Sequence, residues 1–177
     1  MRICLVDNRR PGPVSGEVAG YVAELGPVLA EDHKVTILTL DPQLLSIADT
    51  VMRLRRTIFA TGPEIVHLNN VRGLLLAAVR LAVGSDAAPF QPALVLGLHD
   101  DRLRRRSAGW QRRLTGSIRL VVSPSARLLD EHLADGFFAG AMHIVIPYGM
   151  PYHAAHLVEA YRRVLIDRRT GDLGRAA

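Results

Sequence analysis

The chain is short of lysine, cysteine and aromatic residues, and each shortage removes a class of function. Lys34 is the only lysine among 177 residues. A Walker phosphate loop needs Gly-Lys-Ser/Thr, and this lysine stands in Asp32-His33-Lys34-Val35, so that loop is excluded. Cys4 is the only cysteine, which rules out a disulfide within the chain; its place in an apolar run reads as core. One Trp and a few scattered Phe and Tyr give no stacking platform for single-stranded nucleic acid. The net charge of +5 is carried almost wholly by arginine and reads as a compositional bias, so no nucleic-acid partner is expected. No apolar run approaches the roughly 20 residues of a membrane-spanning helix. The opening Met1-Arg2-Ile3-Cys4-Leu5-Val6-Asp7 turns polar too soon for a signal peptide, and a cytoplasmic location is expected. Gly-x-Ser-x-Gly and Gly-x-Gly-x-x-Gly are absent; Gly12, Gly16 and Gly20 are spaced by four. The His and Cys spacings make no zinc site, and no metal or resident cofactor is expected. His153 and His156 are expected to be solvated on an exposed tail helix.

What is present is an alternation of short apolar runs with helical patterns. Strands are predicted at Arg2 to Val6, Lys34 to Leu40, Glu64 to Leu68, Ala93 to Leu98, Arg119 to Val122 and Met142 to Ile146. Helices are predicted at Val18 to Ala30, from Asp41 as N-cap to about Ala60, at Val71 to Val83, from Ser125 to about Ala134, and at Ala154 to Arg168. Strands alternating with helices imply an α/β fold: one Rossmann-like domain whose parallel sheet of six or seven strands is covered on both faces. The expected division is a domain over residues 1–152 and a C-terminal helix over 153–177 that packs back on it.

In such a sheet ligands bind beyond the carboxyl ends of the strands, which directs attention to the residues after each one. The first loop, with Gly12, Ser15, Gly16 and Glu17, leads into a helix N-terminus and could cradle an anion. His99 and Asp100 follow the fourth strand, where a histidine can bond a sugar hydroxyl or phosphate, or move a proton. His67 ends the third strand, followed by Asn69 and Asn70, which could instead cap the next helix. Ser123 and Ser125 follow the fifth strand, and Tyr148 and Gly149 the sixth. Arg102, Arg104, Arg105 and Arg106, near Trp110, form the local basic cluster that could meet anionic lipid headgroups.

Seven segments, in order, resemble the acceptor-side domain of family-four retaining glycosyltransferases, which have the GT-B fold. They are the opening strand Met1 to Val6; Gly16-Glu17-Val18-Ala19-Gly20 with its helix; Asp32-His33-Lys34-Val35-Thr36-Ile37; Pro63-Glu64-Ile65-Val66-His67-Leu68-Asn69; Leu98-His99-Asp100; Val122-Ser123-Pro124-Ser125; and Ile144-Val145-Ile146-Pro147-Tyr148-Gly149-Met150. The departures are equally informative. Glu17 stands where the family has a second glycine, and a carboxylate there repels a donor phosphate unless it points away. After Met150 the family continues into a second Rossmann-like domain that binds the nucleotide sugar; here the sequence passes to His156-Leu157-Val158-Glu159-Ala160-Tyr161, which looks like the family's last crossing helix.

The resemblance implies half of a sugar-transferring enzyme. The chain would bind an acceptor glycan or lipid, with His99 and Asp100 at the reacting centre and the other residues named above around the substrate. The nucleotide-sugar co-substrate would be held by a partner chain. The alternative is a non-catalytic glycan- or lipid-binding or regulatory module. An apolar face uncovered by the absent domain would call for a partner or for self-association.

Overall fold

The computed structural model describes residues 1–8, 16–40, 46–69, 73–83, 91–100, 103, 109–148 and 153–175. Six parallel strands, β1 (Arg2–Asn8), β2 (Lys34–Leu40), β3 (Ile65–Asn69), β4 (Ala93–Gly97), β5 (Ile118–Ser123) and β6 (Met142–Val145), form one sheet in the order β2-β1-β3-β4-β5-β6. The helices are α1 (Gly16–Ala30), α2 (Ile47–Thr61), α3 (Gly73–Val83), α4 (Gly109–Thr115), α5 (Ala126–Ala134) and α6 (His153–Arg175). The α/β class with a parallel, Rossmann-like sheet is as the sequence pattern implies.

The strands at the centre are apolar throughout because both faces are buried. Successive side chains alternate between two cores. Cys4 and Val6, Val66 and Leu68, and Leu94 and Leu96 point into one, shared with Leu54 and Ile58 of α2 and Leu76 and Val79 of α3. Ile3 and Leu5, Ile65, Ala93 and Val95 point into the other, shared with Val22, Leu25 and Leu29 of α1 and Leu157, Ala160, Tyr161 and Val164 of α6. The register shift between β4 and β5 makes Leu94 pair with Ile118 and Val95 with Leu120. The extra residue, Arg119, is exposed, and the shift puts Ile118 in the first core and Leu120 in the second.

Local chemistry fixes the helix ends. Ser46, not Asp41, caps α2: its hydroxyl accepts from Asp49 N at 3.1 Å while the Asp49 carboxylate accepts from Ser46 N at 3.3 Å. Asp41 itself lies outside the described residues. Gly62 ends α2 at φ 52°, donating its N–H to Ile58 O at 2.9 Å. Helix α4 falls in an arginine-rich stretch that no apolar period marks in the sequence. Helix α6 lies along the face already occupied by α1, and Arg168 in it hydrogen-bonds the Gln91 carbonyl just before β4.

Candidate functional site

The row Asp7, Asn69 and Gly97 crosses the carboxyl ends of β1, β3 and β4 in register. By strand alternation it lies on the α1 and α6 face, one step beyond Leu5, His67 and Val95. Asp7 and Asn69 of this row and His67 of the row behind it are all buried. His99 emerges just past Gly97 and closes the row. Its Nε2 lies 3.1 Å from Asn69 Oδ1 and its Nδ1 meets the Tyr148 hydroxyl. A carbonyl oxygen only accepts, so Nε2 carries the proton and Nδ1 accepts from Tyr148. The two rings are stacked, 8° from parallel with centroids 5.8 Å apart. Tyr148 leaves 43% of its surface to solvent.

Gly97 makes this arrangement possible. A Cβ there would lie 2.7 Å from Asn69 Oδ1, 2.8 Å from His99 Nε2 and 3.0 Å from His67 Nε2. Three polar atoms on separate positions therefore converge on the one strand residue without a side chain. Beneath them His67 Nδ1 shares a 2.6 Å hydrogen bond with the Tyr161 hydroxyl of α6, and its Nε2 has no partner among the described residues. Tyr21 of α1 completes the wall. Its ring meets His99, Tyr148 and His153 edge-on at 5.1 to 5.7 Å, and its hydroxyl lies 2.7 Å from His153 Nε2.

These histidines are neutral. Burial pushes His67 down to about 3, with His99 and His153 adding repulsion. Burial also takes His99 down to about 4, against the opposing pull of Asp100. His153 is lowered by burial, partly offset by its bond to the Pro147 carbonyl. Burial raises the Tyr21 and Tyr161 hydroxyls, so both stay protonated. Around His99 the histidines and tyrosines are neutral donors and acceptors with aromatic faces, and Asp7 and Asp100 stand beside them; this suits a hydroxyl-rich ligand more than proton abstraction.

His99, Asn69 and Tyr148 are brought together, with His67 and Asp100 adjoining. The surroundings of several of these residues differ from those of simple strand-end side chains. His67 and Asn69 are fully buried, His67 bonded to Tyr161 of α6 and Asn69 to His99. Asn69 bonds His99 and faces the His67 carbonyl at 3.5 Å instead of capping α3. Ser123 is buried and donates to the Ser125 carbonyl at 2.8 Å, and Ser125 is the N-cap of α5, bonded to Leu128 N at 3.2 Å; both serve the turn. His153 is not simply solvated, since α6 presents it to Tyr21, whereas His156 is exposed. Gly12, Ser15, Asn70, Arg102, Arg104, Arg105, Arg106 and Gly149 lie outside the described residues; Gly16 and Glu17 form the first turn of α1, and the Glu17 side chain is likewise outside them. Among the described residues no group of His, Cys, Asp or Glu could hold a metal ion, and no helix is long and apolar enough to cross a membrane.

No protein-family model and no curated protein matches the sequence. Solved structures match the fold. A sucrose-phosphate synthase chain from Thermosynechococcus elongatus aligns with TM-score 0.60 and 15% identity over 93% of this chain and 99% of that one. A UDP-GlcNAc 2-epimerase from Methanocaldococcus jannaschii aligns at TM-score 0.58 and 10% identity, and MnaA of S. aureus, solved with UDP, at 0.56 and 13%. Each of these two covers 82% of this chain, while this chain spans 45% and 43% of theirs, less than half. The shared feature is the Rossmann-like parallel α/β fold.

Proposed function

We propose that this chain is the acceptor-side half of a GT-B glycosyltransferase, akin to the family-four retaining enzymes. It would hold a sugar acceptor at His99, with the nucleotide-sugar donor bound by residues outside these 177. The observation that carries the reading is the neutral cluster of His99, Asn69, Tyr148, Tyr21 and His153 at the carboxyl edge of the sheet, where an α/β domain binds its ligands. The ordered motifs of the sequence support it. So does the likeness in fold to a sucrose-phosphate synthase chain. Helix α6 reaches back to place Tyr161 against His67 of β3 and His153 against Tyr21 of α1, as the resemblance of its sequence to the family's last crossing helix implies.

A second reading, a non-catalytic glycan- or lipid-binding or regulatory module, is favoured by one specific observation. Both nitrogens of His99 are engaged and its basicity is low, so the ring orients a ligand better than it takes a proton. The readings separate in a calorimetric and thermal-shift titration with nucleotide diphosphate sugars and with mono- and oligosaccharides. The acceptor-half reading expects stabilisation by a saccharide, lost in His99→Ala, and none by a nucleotide alone. Stabilisation by a nucleotide sugar that survives His99→Ala would overturn it. Saccharide binding with no transfer, when the donor-binding half of a related enzyme is added, would leave the binding module as the correct reading.

A further inference from the structure

The face of α2 turned away from the core has an unusual composition. Thr50, Leu54 and Ile58 are buried, so at 100° per residue Met52, Arg56 and Phe59 project to the opposite side. Phe59 is 77% exposed and Met52 59%, the former the most exposed of the large apolar side chains described. Arg55 lies on one flank of this stripe and Arg56 and Arg53 on the other, all exposed and all without an ion-pair partner among the described residues. Two large exposed apolar side chains about two helical turns apart, with three arginines unpaired among the described residues beside them, form a small apolar stripe in a basic surround.

We infer that the Met52 and Phe59 stripe of α2, flanked by Arg53, Arg55 and Arg56, is a docking surface for an anionic lipid bilayer. The charge order selects this occupant. In an interfacial helix the apolar stripe enters the headgroup boundary while arginines on both flanks reach phosphate oxygens. A second copy docking by the same face would set arginines against arginines. The inference is independent of the transfer chemistry at His99 and of the arginine cluster at Arg102 to Arg106.

The test is flotation of the whole chain with vesicles of phosphatidylcholine alone and of phosphatidylcholine mixed with phosphatidylglycerol. Binding is expected only to the mixed vesicles and is expected to weaken as salt rises. Arg55→Ala/Arg56→Ala should lower the affinity roughly thirtyfold, at about fivefold for each arginine at the surface. Met52→Gln/Phe59→Ser should also release the protein from the vesicles, with an unchanged melting curve because both side chains are already in water. Arg162→Ala/Arg163→Ala, which removes the same charge from exposed positions on α6, should leave most of the binding. Equal loss in the two arginine variants would overturn the inference in favour of diffuse attraction. So would equal binding to both vesicles, no binding to either, or a wild-type dimer that Met52→Gln/Phe59→Ser dissolves.

Discussion

At the residue scale the site depends on what Gly97 does not have. Two histidine nitrogens and an amide oxygen occupy the volume that a methyl group would take, at 2.7 to 3.0 Å from it. Gly97→Ala must therefore move His99 or break its bond to Asn69. We expect a loss of about 1 to 3 kcal/mol in unfolding free energy, as for other overpacked interiors, together with a weaker saccharide response. Chemical denaturation and the titration described above read the two effects; an alanine variant with unchanged stability and binding would contradict the geometry. Glycine at a strand end is common, and only the register of β3 against β4 shows that Asn69 stands beside it. His99 and Tyr148 were legible in the sequence as strand-end residues. That they touch was not, because 49 positions separate them. Tyr21 carried no sequence signal beyond its place early in the first helix, and it is nonetheless in ring contact with three members of the cluster.

At the element scale the final helix decides what His67 can be. From the sequence His67 is one more histidine at the carboxyl end of a strand. Helix α6 buries it by placing the Tyr161 hydroxyl 2.6 Å from Nδ1 across 94 residues of chain. The apolar period of Leu157, Tyr161, Val164 and Leu165 predicts a helix with one buried face, but no local pattern says which strands it meets. Tyr161→Phe leaves both nitrogens of a fully buried imidazole unpaired among the described residues, at a cost of about 1 to 3 kcal/mol. Hydrogen exchange should then rise first in α6 and in β3 beneath it. Unchanged protection of α6 would mean that its apolar contacts alone hold it. The parallel sheet followed from the alternation of apolar runs with helical patterns. Two things did not. The start of α2 lies at Ser46, which forms reciprocal bonds with Asp49, where the sequence pattern points to Asp41 as the cap. Helix α4 is too short and too arginine-rich to show a period.

At the scale of the whole molecule, several buried histidines couple folding to pH. In the unfolded chain each titrates near 6.5; folded, burial holds His99 near 4 and His67 near 3. The unfolded state therefore binds more protons as the pH drops below about 6.5, and stability falls from there down through about 3, while it is flat with respect to these groups above about 7. The melting temperature is expected to decline between pH 6.5 and 4, less steeply in His67→Gln. An identical slope in the variant would remove His67 as a cause. The same packing keeps the histidines of the site uncharged at physiological pH, so it offers a sugar hydrogen bonds and ring faces and offers a phosphate no cation among them.

The most direct measurement is a two-dimensional NMR titration of the histidine ring nitrogens with a series of saccharides and nucleotide sugars. The spectrum of the free protein should show His99 as the neutral Nε2–H form. A saccharide should move the His99 and His153 signals together, with His67 following less, and the response should vanish in Tyr148→Ala. A His99 signal that stays fixed while other regions respond, or that belongs to a charged ring at pH 7, would contradict the account.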